Sequence, residues 1–340
     1  MNDPELIEKV HALLDAHAAA DLFSGAVLVA HDDQLLVTTA RGYAIHPNVL
    51  LNQPNTKFDI ASVNKMFTAV AAVQLVARGQ LDFHTPISTY QLDLPNADSV
   101  TLHQLLTHTA GFGDYWNDAY RAARSDLRTV SDYLKLFATT PLEFPPGTRH
   151  RYSNVGYIVL GALIEQVTGQ SYYDHVRQSI YQLAAMPDTD HYELDLPIAN
   201  RAVGYSHQTW FGPTDGLRRA NHFIYAVKGS PAGNAFSTVH DLLQFFRALQ
   251  SRRLLDAAYT ELCLTPHTAG EQPGVSYGYG FHIIDDGQHG RVIGHGGSAF
   301  GGDAFALVYQ DLGYTVIILS NYDRPAARRL VDGIADMLIT

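Results

Sequence analysis

Residues 24–30 (SGAVLVA) and 35–42 (LLVTTARG) are two runs of small, aliphatic and β-branched side chains on either side of His31-Asp32-Asp33-Gln34. The pattern predicts a β-hairpin closed by a four-residue turn. Far downstream, residues 279–284, 291–295, 302–309 and 314–321 have the same texture, with Asp285-Asp286-Gly287 and Asp311-Leu312-Gly313 as turns. Between these two ends apolar side chains recur at helical spacing, predicting helices over 63–78, 102–107, 130–137, 154–167, 172–183 and 238–250. A last helix over 325–339 closes the chain, and residues 1–20 read as a surface helix. Gly79, Gly169 and Pro86 serve as stops, and Thr238 with Asp241 three residues on has the form of a capping box. Residues 195–234 are the least regular stretch and suit a long loop over a pocket.

This order implies a sheet drawn from both chain ends with helices inserted between them. The expected fold is α/β of the α+β type, an antiparallel sheet flanked by helices. Residues 1–60 with 275–340 would form the sheet domain and 61–274 a mainly helical domain, with the active site at their junction. A chain of 340 residues accommodates two such domains, or one large domain with an insertion.

Composition narrows the function classes. With 46% hydrophobic and 17% charged residues the chain is a folded protein rather than a disordered or low-complexity one. Net charge is -11, and the 23 Lys and Arg form no cluster, which argues against a nucleic-acid partner. The single cysteine, Cys263, excludes intramolecular disulfides and four-thiolate zinc sites and reads as a small buried hydrophobe. The first residues carry Glu5, Glu8, Lys9 and Asp15 in place of a basic start and apolar stretch, and no run approaches the ~18 apolar residues of a membrane span. A cytoplasmic protein with no membrane partner is the expectation.

Three constellations carry candidate chemistry. Ser62-Val63-Asn64-Lys65 is the one Ser-x-x-Lys of the chain and opens an almost wholly apolar helix. Lys65 lies one turn beyond Ser62 on the same face, where a buried amine shifts its pKa readily and can assist proton removal. Read alone, the motif favours Ser62 as an N-cap and Lys65 as a side chain that snorkels to water. Tyr152-Ser153-Asn154 follows Pro145-Pro146-Gly147 and opens the next apolar helix; a phenol beside a buried ammonium can act as a base, and Asn154 offers a donor and an acceptor. Packing and capping are the competing reading. Gly294-His295-Gly296-Gly297-Ser298 ends a predicted strand, where glycines admit a substrate backbone, or simply bend the strand.

These three elements, in this order, resemble the serine β-lactamase and penicillin-binding-protein superfamily. The Tyr-x-Asn form resembles its class C-like branch, which includes class C β-lactamases, D-alanyl-D-alanine carboxypeptidases, D-aminopeptidases, family VIII carboxylesterases and lovastatin-synthase-type acyltransferases. Residues 101–112, 144–147, 161–165 and 232–238 add matches in the family's order. The resemblance implies Ser62 as the acylated nucleophile, Lys65 as its proton-relay partner and Tyr152 as general base. It implies Asn154 as the residue orienting substrate and Lys65, and an oxyanion hole from the Ser62 and Ser298 backbone N–H groups. His295, Gly296, Gly297 and Ser298 would bind substrate.

The chain departs from the pattern at His295, which stands where many relatives carry a Lys near a substrate carboxylate. A neutral imidazole anchors a carboxylate poorly. The expected function is therefore acyl transfer through an acyl-Ser62 intermediate by a carboxylesterase acting on small neutral esters, with no cofactor, and with a Lys at position 295 shifting preference toward carboxylate substrates. β-Lactamase, D-amino-acid peptidase, amidase and acyltransferase activities are the alternatives in chemistry, and a catalytically idle binding module is the alternative in kind. The 17 histidines do not make a metal site: His103 and His108, five apart, do not share a helix face in the zincin manner. Tyr115, Trp116, Trp210, Phe211, Phe223, Tyr225 and Phe300 are candidates to line an acyl pocket, or to fill the core.

Overall fold

At the centre of the computed structural model, which describes residues 3–46, 50–92, 94–222 and 224–339, lies one eight-stranded antiparallel sheet. Strands β1 (Gly25–His31) and β2 (Gln34–Arg41) come from the N-terminal hairpin. Strands β3 (Thr268–Ala269), β4 (Val275–Tyr277), β5 (His282–Asp285), β6 (Arg291–Ala299), β7 (Gly302–Tyr309) and β8 (Tyr314–Ser320) come from the C-terminal part. Their spatial order is β3-β4-β5-β6-β7-β8-β1-β2. The two chain ends meet where Gly25 lies opposite Ser320 and Leu28 opposite Ile317. The longer helices are α1 (Asp3–Ala19), α2 (Lys65–Ala77), α3 (Asn154–Thr168), α4 (Val239–Gln250) and α5 (Ala326–Leu338).

Both faces of the sheet are covered, so its central strands read as unbroken apolar runs rather than alternating ones. In β7, Ala304, Ala306 and Val308 join the core of the inserted helices. Phe305, Leu307 and Tyr309 of the same strand pack with Leu6, Val10 and Leu14 of α1 and Leu330 and Ile334 of α5. Helix α2 is buried at every position from Lys65 to Leu75, as its all-round apolar pattern requires. One core runs through both parts of the chain, since Ala26 and Leu28 of β1 cluster with Val70 of α2 and Ile158 of α3.

The structure differs from the sequence reading in identifiable places. The first hairpin turn has two residues, because His31 and Gln34 already pair and Asp32 takes φ 49°. The helix expected from residue 63 begins as a 3-10 turn over Ala61–Asn64, with α geometry from Lys65. The segment from Tyr172 is α only to Val176 and continues as a π turn over Arg177–Gln182. Strand β5 starts at His282 because the preceding chain crosses α2: a Cβ on Gly280 would meet Ala69 Cβ at 2.4 Å. Thr238 caps α4 by accepting from the Asp241 N–H, but the Asp241 carboxylate turns to the Asp188 N–H and Thr189 hydroxyl, so the box stays open. The helix Ala257–Leu264 and strands β3 and β4 are additions, and the sheet reaches back to Thr268. Residues 195–234 do form an irregular excursion, stiffened by short pairings such as Tyr205–Ser206 with Arg219–Ala220. Among the described residues no helix is long and apolar enough to cross a membrane.

Candidate active site

Ser62 is presented by a turn that the surrounding chain leaves little freedom. The short strand Phe58–Asp59 pairs with Phe236–Ser237, and the chain then reverses through Ala61, whose φ of 44° lies in the left-handed region. An L residue accepts that conformation only where neighbours hold it. Asp59 Oδ1 accepts the Ala61 N–H at 2.8 Å, and Ile60 N–H donates to Ala235 O at 3.0 Å. From the other side β6 presses against the turn. A Cβ on Gly297 would stand 2.3 Å from Ile60 O and 2.9 Å from Ser62 N, so this close approach requires glycine.

Lys65 follows on the first turn of α2 with its side chain fully buried. Its Nζ lies 3.1 Å from Ser62 Oγ, 2.7 Å from Asn154 Oδ1 and 2.6 Å from Ala232 O. Asn154 Oδ1 and the Ala232 carbonyl can only accept. A neutral amine has two N–H bonds for these and a lone pair for the Ser62 hydroxyl. Burial moves Lys65 in that direction, pushing its pKa down to about 7, with Asp114 opposing. The neighbouring rings add no positive charge, because burial first, and Lys65 itself in part, hold His108 and His295 well below their ordinary range.

Tyr152 and Asn154 come from the start of α3, where Ser153 is the N-cap. Asn154 bridges two groups, accepting from Lys65 and donating through Nδ2 to Asp114 Oδ2 at 3.0 Å. The Lys65 nitrogen sits over the Tyr152 ring, 4.7 Å from its centroid. The Tyr152 hydroxyl is buried without a hydrogen bond of good geometry. Burial pushes that phenol above its ordinary range, and the nearby Ser62 side chain pulls it partly back. The sequence argument placed the ammonium beside the phenol oxygen; the structure places it against the ring face, so the amine is the group that titrates near neutrality.

The third motif divides. Strand β6 runs on through Ala299, so Gly296, Gly297 and Ser298 lie within it. Ser298 lines, with Ser62 and Asn154, a cavity of about 470 Å³, within the range that takes a small molecule. His295 is 1% exposed and is not part of that lining. Its Nδ1–H donates to Gly296 O at 2.5 Å, and its Nε2 accepts from the Tyr277 hydroxyl at 3.1 Å, the arrangement of a neutral ring. Of the aromatic candidates, Tyr115, Trp116, Trp210, Tyr225 and Phe300 line the cavity. Trp210 links them, its ring 5.5 Å from Trp116 and 5.4 Å from Phe300. Phe211 is 93% exposed, and Phe223 lies outside the described residues. His103 bonds Tyr279 and His108 accepts from the Ser153 N–H, so the two histidines serve different places.

Sequence reading missed Asp59, Asp114, the Ala232 carbonyl and Arg324, which gather here from distant segments. Among the described residues, Arg324 is the one basic side chain in the cavity lining. Its neighbour Asp323 turns both oxygens to backbone N–H groups, of Gly301 at 2.6 Å and His207 at 2.7 Å, rather than to the guanidinium. The signal was faint: a lone Arg after the last strand.

The family model described as Beta-lactamase matches residues 10–340. The chain belongs to the Beta-lactamase family. This Beta-lactamase-family serine hydrolase is 29% identical over 308 residues to penicillin-binding protein 4* of Bacillus subtilis (strain 168), covering 88% of this chain and 68% of that protein. It is 28% identical to esterase EstB of Burkholderia gladioli, covering 93% of this chain and 90% of the esterase. Among solved structures, a penicillin-binding protein from Bacillus halodurans superposes with a TM-score of 0.87 at 32% identity, covering 95% of this chain and 98% of the other. The D-amino acid amidase of Ochrobactrum anthropi SV3, at 24% identity and a TM-score of 0.85 over 98% of both chains, shares the fold. The mixed α/β architecture with its large antiparallel sheet is thus the family's.

Proposed function

We propose that the protein is a carboxylesterase that works by acyl transfer through Ser62. The observation that carries this reading is the Lys65 amine, buried and held among Ser62 Oγ, Asn154 Oδ1 and Ala232 O, three residues that line an aromatic-walled cavity. Neutral Lys65 takes the Ser62 proton as Oγ attacks the ester carbonyl. The Ser62 and Ser298 N–H groups receive the developing oxyanion, an arrangement that the tight seating of Gly297 under Ser62 supports. Tyr152 gives its phenol proton to the departing alkoxide and regains one from the Lys65 ammonium, and water then releases the acid from acyl-Ser62 by the reverse relay. Lys65 and Tyr152 thereby share the base function that the family resemblance assigns to Tyr152. His295 acts behind the site, as a neutral bridge to Tyr277.

An ester rather than a lactam or peptide suits the apolar cage and accords with the similarity to esterase EstB. Arg324 supports a second reading, in which the substrate carries a carboxylate, as a cephalosporin or a D-alanyl dipeptide does. Intact-protein mass spectrometry after exposure to neutral p-nitrophenyl esters, a cephalosporin and a D-alanyl dipeptide tests both. The ester reading expects the fastest-forming and fastest-decaying adduct on Ser62 from a neutral ester. Faster turnover of the cephalosporin or dipeptide replaces it with the second reading, and absence of any adduct returns the chain to a binding module.

A further inference from the structure

Asp59 is a partly buried carboxylate to which the proposed chemistry gives no role, yet it touches both sides of the site. Its Oδ1 accepts the Ala61 N–H at 2.8 Å, immediately before Ser62. Its Oδ2 accepts from Asn234 Nδ2 at 2.8 Å. Ala61 and Asn234 are both non-glycine residues with positive φ, 44° and 66°, and Asn234 N–H donates back to Ala61 O at 3.3 Å. Two residues before Asn234 is Ala232, whose carbonyl holds Lys65 at 2.6 Å. One side chain therefore joins the turn that aims Ser62 to the loop that aims the Lys65 amine.

We propose that Asp59 is a positioning residue for Ser62 and Lys65: its ionised carboxylate, as a double acceptor, clamps the turn before the nucleophile to the 230–235 loop. The inference rests on the reading of Ser62 as nucleophile. Both oxygens are needed as acceptors, because each faces an N–H donor. A protonated acid offers one acceptor and one donor, and the donor then confronts the Asn234 amide.

The surroundings make this clamp sensitive to pH. Asp59 faces a small cavity of about 70 Å³ that Arg201, His222 and Tyr225 also line. Burial raises its pKa to about 6, against the Asn234 and Ala61 hydrogen bonds and the Arg201 charge, which lower it. Arg201 forms no hydrogen bond to it, so the charge is balanced at a distance. Burial holds His222 below its ordinary range and Tyr120 and Tyr225 above theirs, which favours their neutral forms around it.

The test compares wild type and Asp59→Asn on one p-nitrophenyl ester from about pH 5 to about pH 8.5, reading kcat/KM. Asparagine mimics the protonated acid. Wild type is expected to be about tenfold faster at the alkaline end, the ratio falling toward one below about pH 6. Protonation of Lys65 slows both proteins alike and cancels in the ratio. A ratio constant across the range, or near one throughout, overturns the inference, since a merely structural defect carries no such pH dependence. Should the variant fail to fold, wild type alone decides: log kcat/KM against pH must show, on top of the slope of about one set by Lys65, a further drop of about tenfold centred at about pH 6, the local slope rising to about 1.5 and then returning to about one, and a slope that stays at about one throughout overturns it. The same wild-type sample is treated with a fluorophosphonate and the labelled peptide identified by mass. No label on Ser62 defeats the nucleophile reading and this inference with it, whereas a labelled Ser62 with a flat ratio defeats the role of Asp59 alone.

Discussion

Lys65 Nζ stands 3.1 Å from Ser62 Oγ, and every other hydrogen bond it makes is to an atom that only accepts. A neutral amine can serve both acceptors with its two N–H bonds and keep its lone pair for the Ser62 hydroxyl, and burial favours that form. With the Lys65 pKa lowered to about 7, kcat/KM is expected to rise with pH through that value and then level. Lys65→Arg removes the titration because a guanidinium stays protonated, and it should reduce activity by at least about a thousandfold. Stability gives an independent check. The folded pKa lies below the unfolded one near 10.5, so the unfolded chain binds the extra proton between the two values, and wild-type stability gains as pH rises from about 7 toward about 10. Lys65→Met should therefore gain most in melting temperature below about pH 7, with that advantage shrinking at alkaline pH. An advantage independent of pH would mean that Lys65 is not the neutral amine described here.

Ser62→Ala removes the oxygen that the amine faces, and no second hydroxyl stands within reach of Lys65 Nζ among the described residues. Activity on a p-nitrophenyl ester should fall by several powers of ten, roughly 10⁴-fold or more, with the melting temperature unchanged. Tyr152→Phe keeps the ring under the Lys65 nitrogen, 4.7 Å from its centroid, and deletes a buried hydroxyl without a hydrogen bond of good geometry. It should slow turnover by roughly 10²- to 10⁴-fold and leave stability equal or higher. Near-normal turnover in either variant, measured beside its melting curve, refutes the assigned role.

Gly297→Ala tests the seating of β6 against the nucleophile turn. The added Cβ would lie 2.3 Å from Ile60 O and 2.9 Å from Ser62 N, and both neighbours are backbone with nowhere to move. The strand must shift away from Ser62, opening the proposed oxyanion hole, at a loss of about 10²- to 10³-fold in kcat. Burst kinetics on an activated ester would register it, and an unchanged burst rate would separate Gly297 from the site.

The frame of the molecule was legible in the chain because its signals are local. The runs 24–30 and 302–321 have strand texture, α2 is apolar all round, and Ser62, Lys65, Tyr152 and Asn154 sit beside clear helix starts. What stayed hidden depends on contacts between distant segments. Ala232 serves Lys65 through its carbonyl, which no residue type announces. The 3-10 turn at Ala61 is imposed by Asp59, Asn234 and β6 rather than by propensity. His295 was placed correctly on the strand, but which face its ring takes follows from the β6 register and from Tyr277 on β4, neither of which local pattern supplies.

Substrate charge is where that difference matters most. The sequence offered His295 as the residue facing a substrate carboxylate, but the structure buries it and brings Arg324 into the cavity instead. The Arg324 guanidinium rests by the Phe305 ring, 5.9 Å from its centroid. The nearby acid Asp303 accepts the Ala327 and Arg328 N–H groups through Oδ2 and feels the Arg324 charge only at a distance, without forming an ion pair with it. A matched pair of aryl butyrates, one with a carboxylate on the leaving group and one with a methyl there, reads its contribution. Arg324→Ala should cut kcat/KM on the carboxylate ester by about tenfold more than on the neutral one. The difference should shrink at high salt, because the side chain is exposed and its field is screened. His295→Lys, which on sequence grounds would recruit carboxylates, should instead destabilise the fold without changing the ratio, since it puts an ammonium where the native ring is 1% exposed and bonded on both nitrogens. If the lysine variant gains on the carboxylate ester while Arg324→Ala loses nothing, substrate charge is read at position 295 after all, and Arg324 has no part in it.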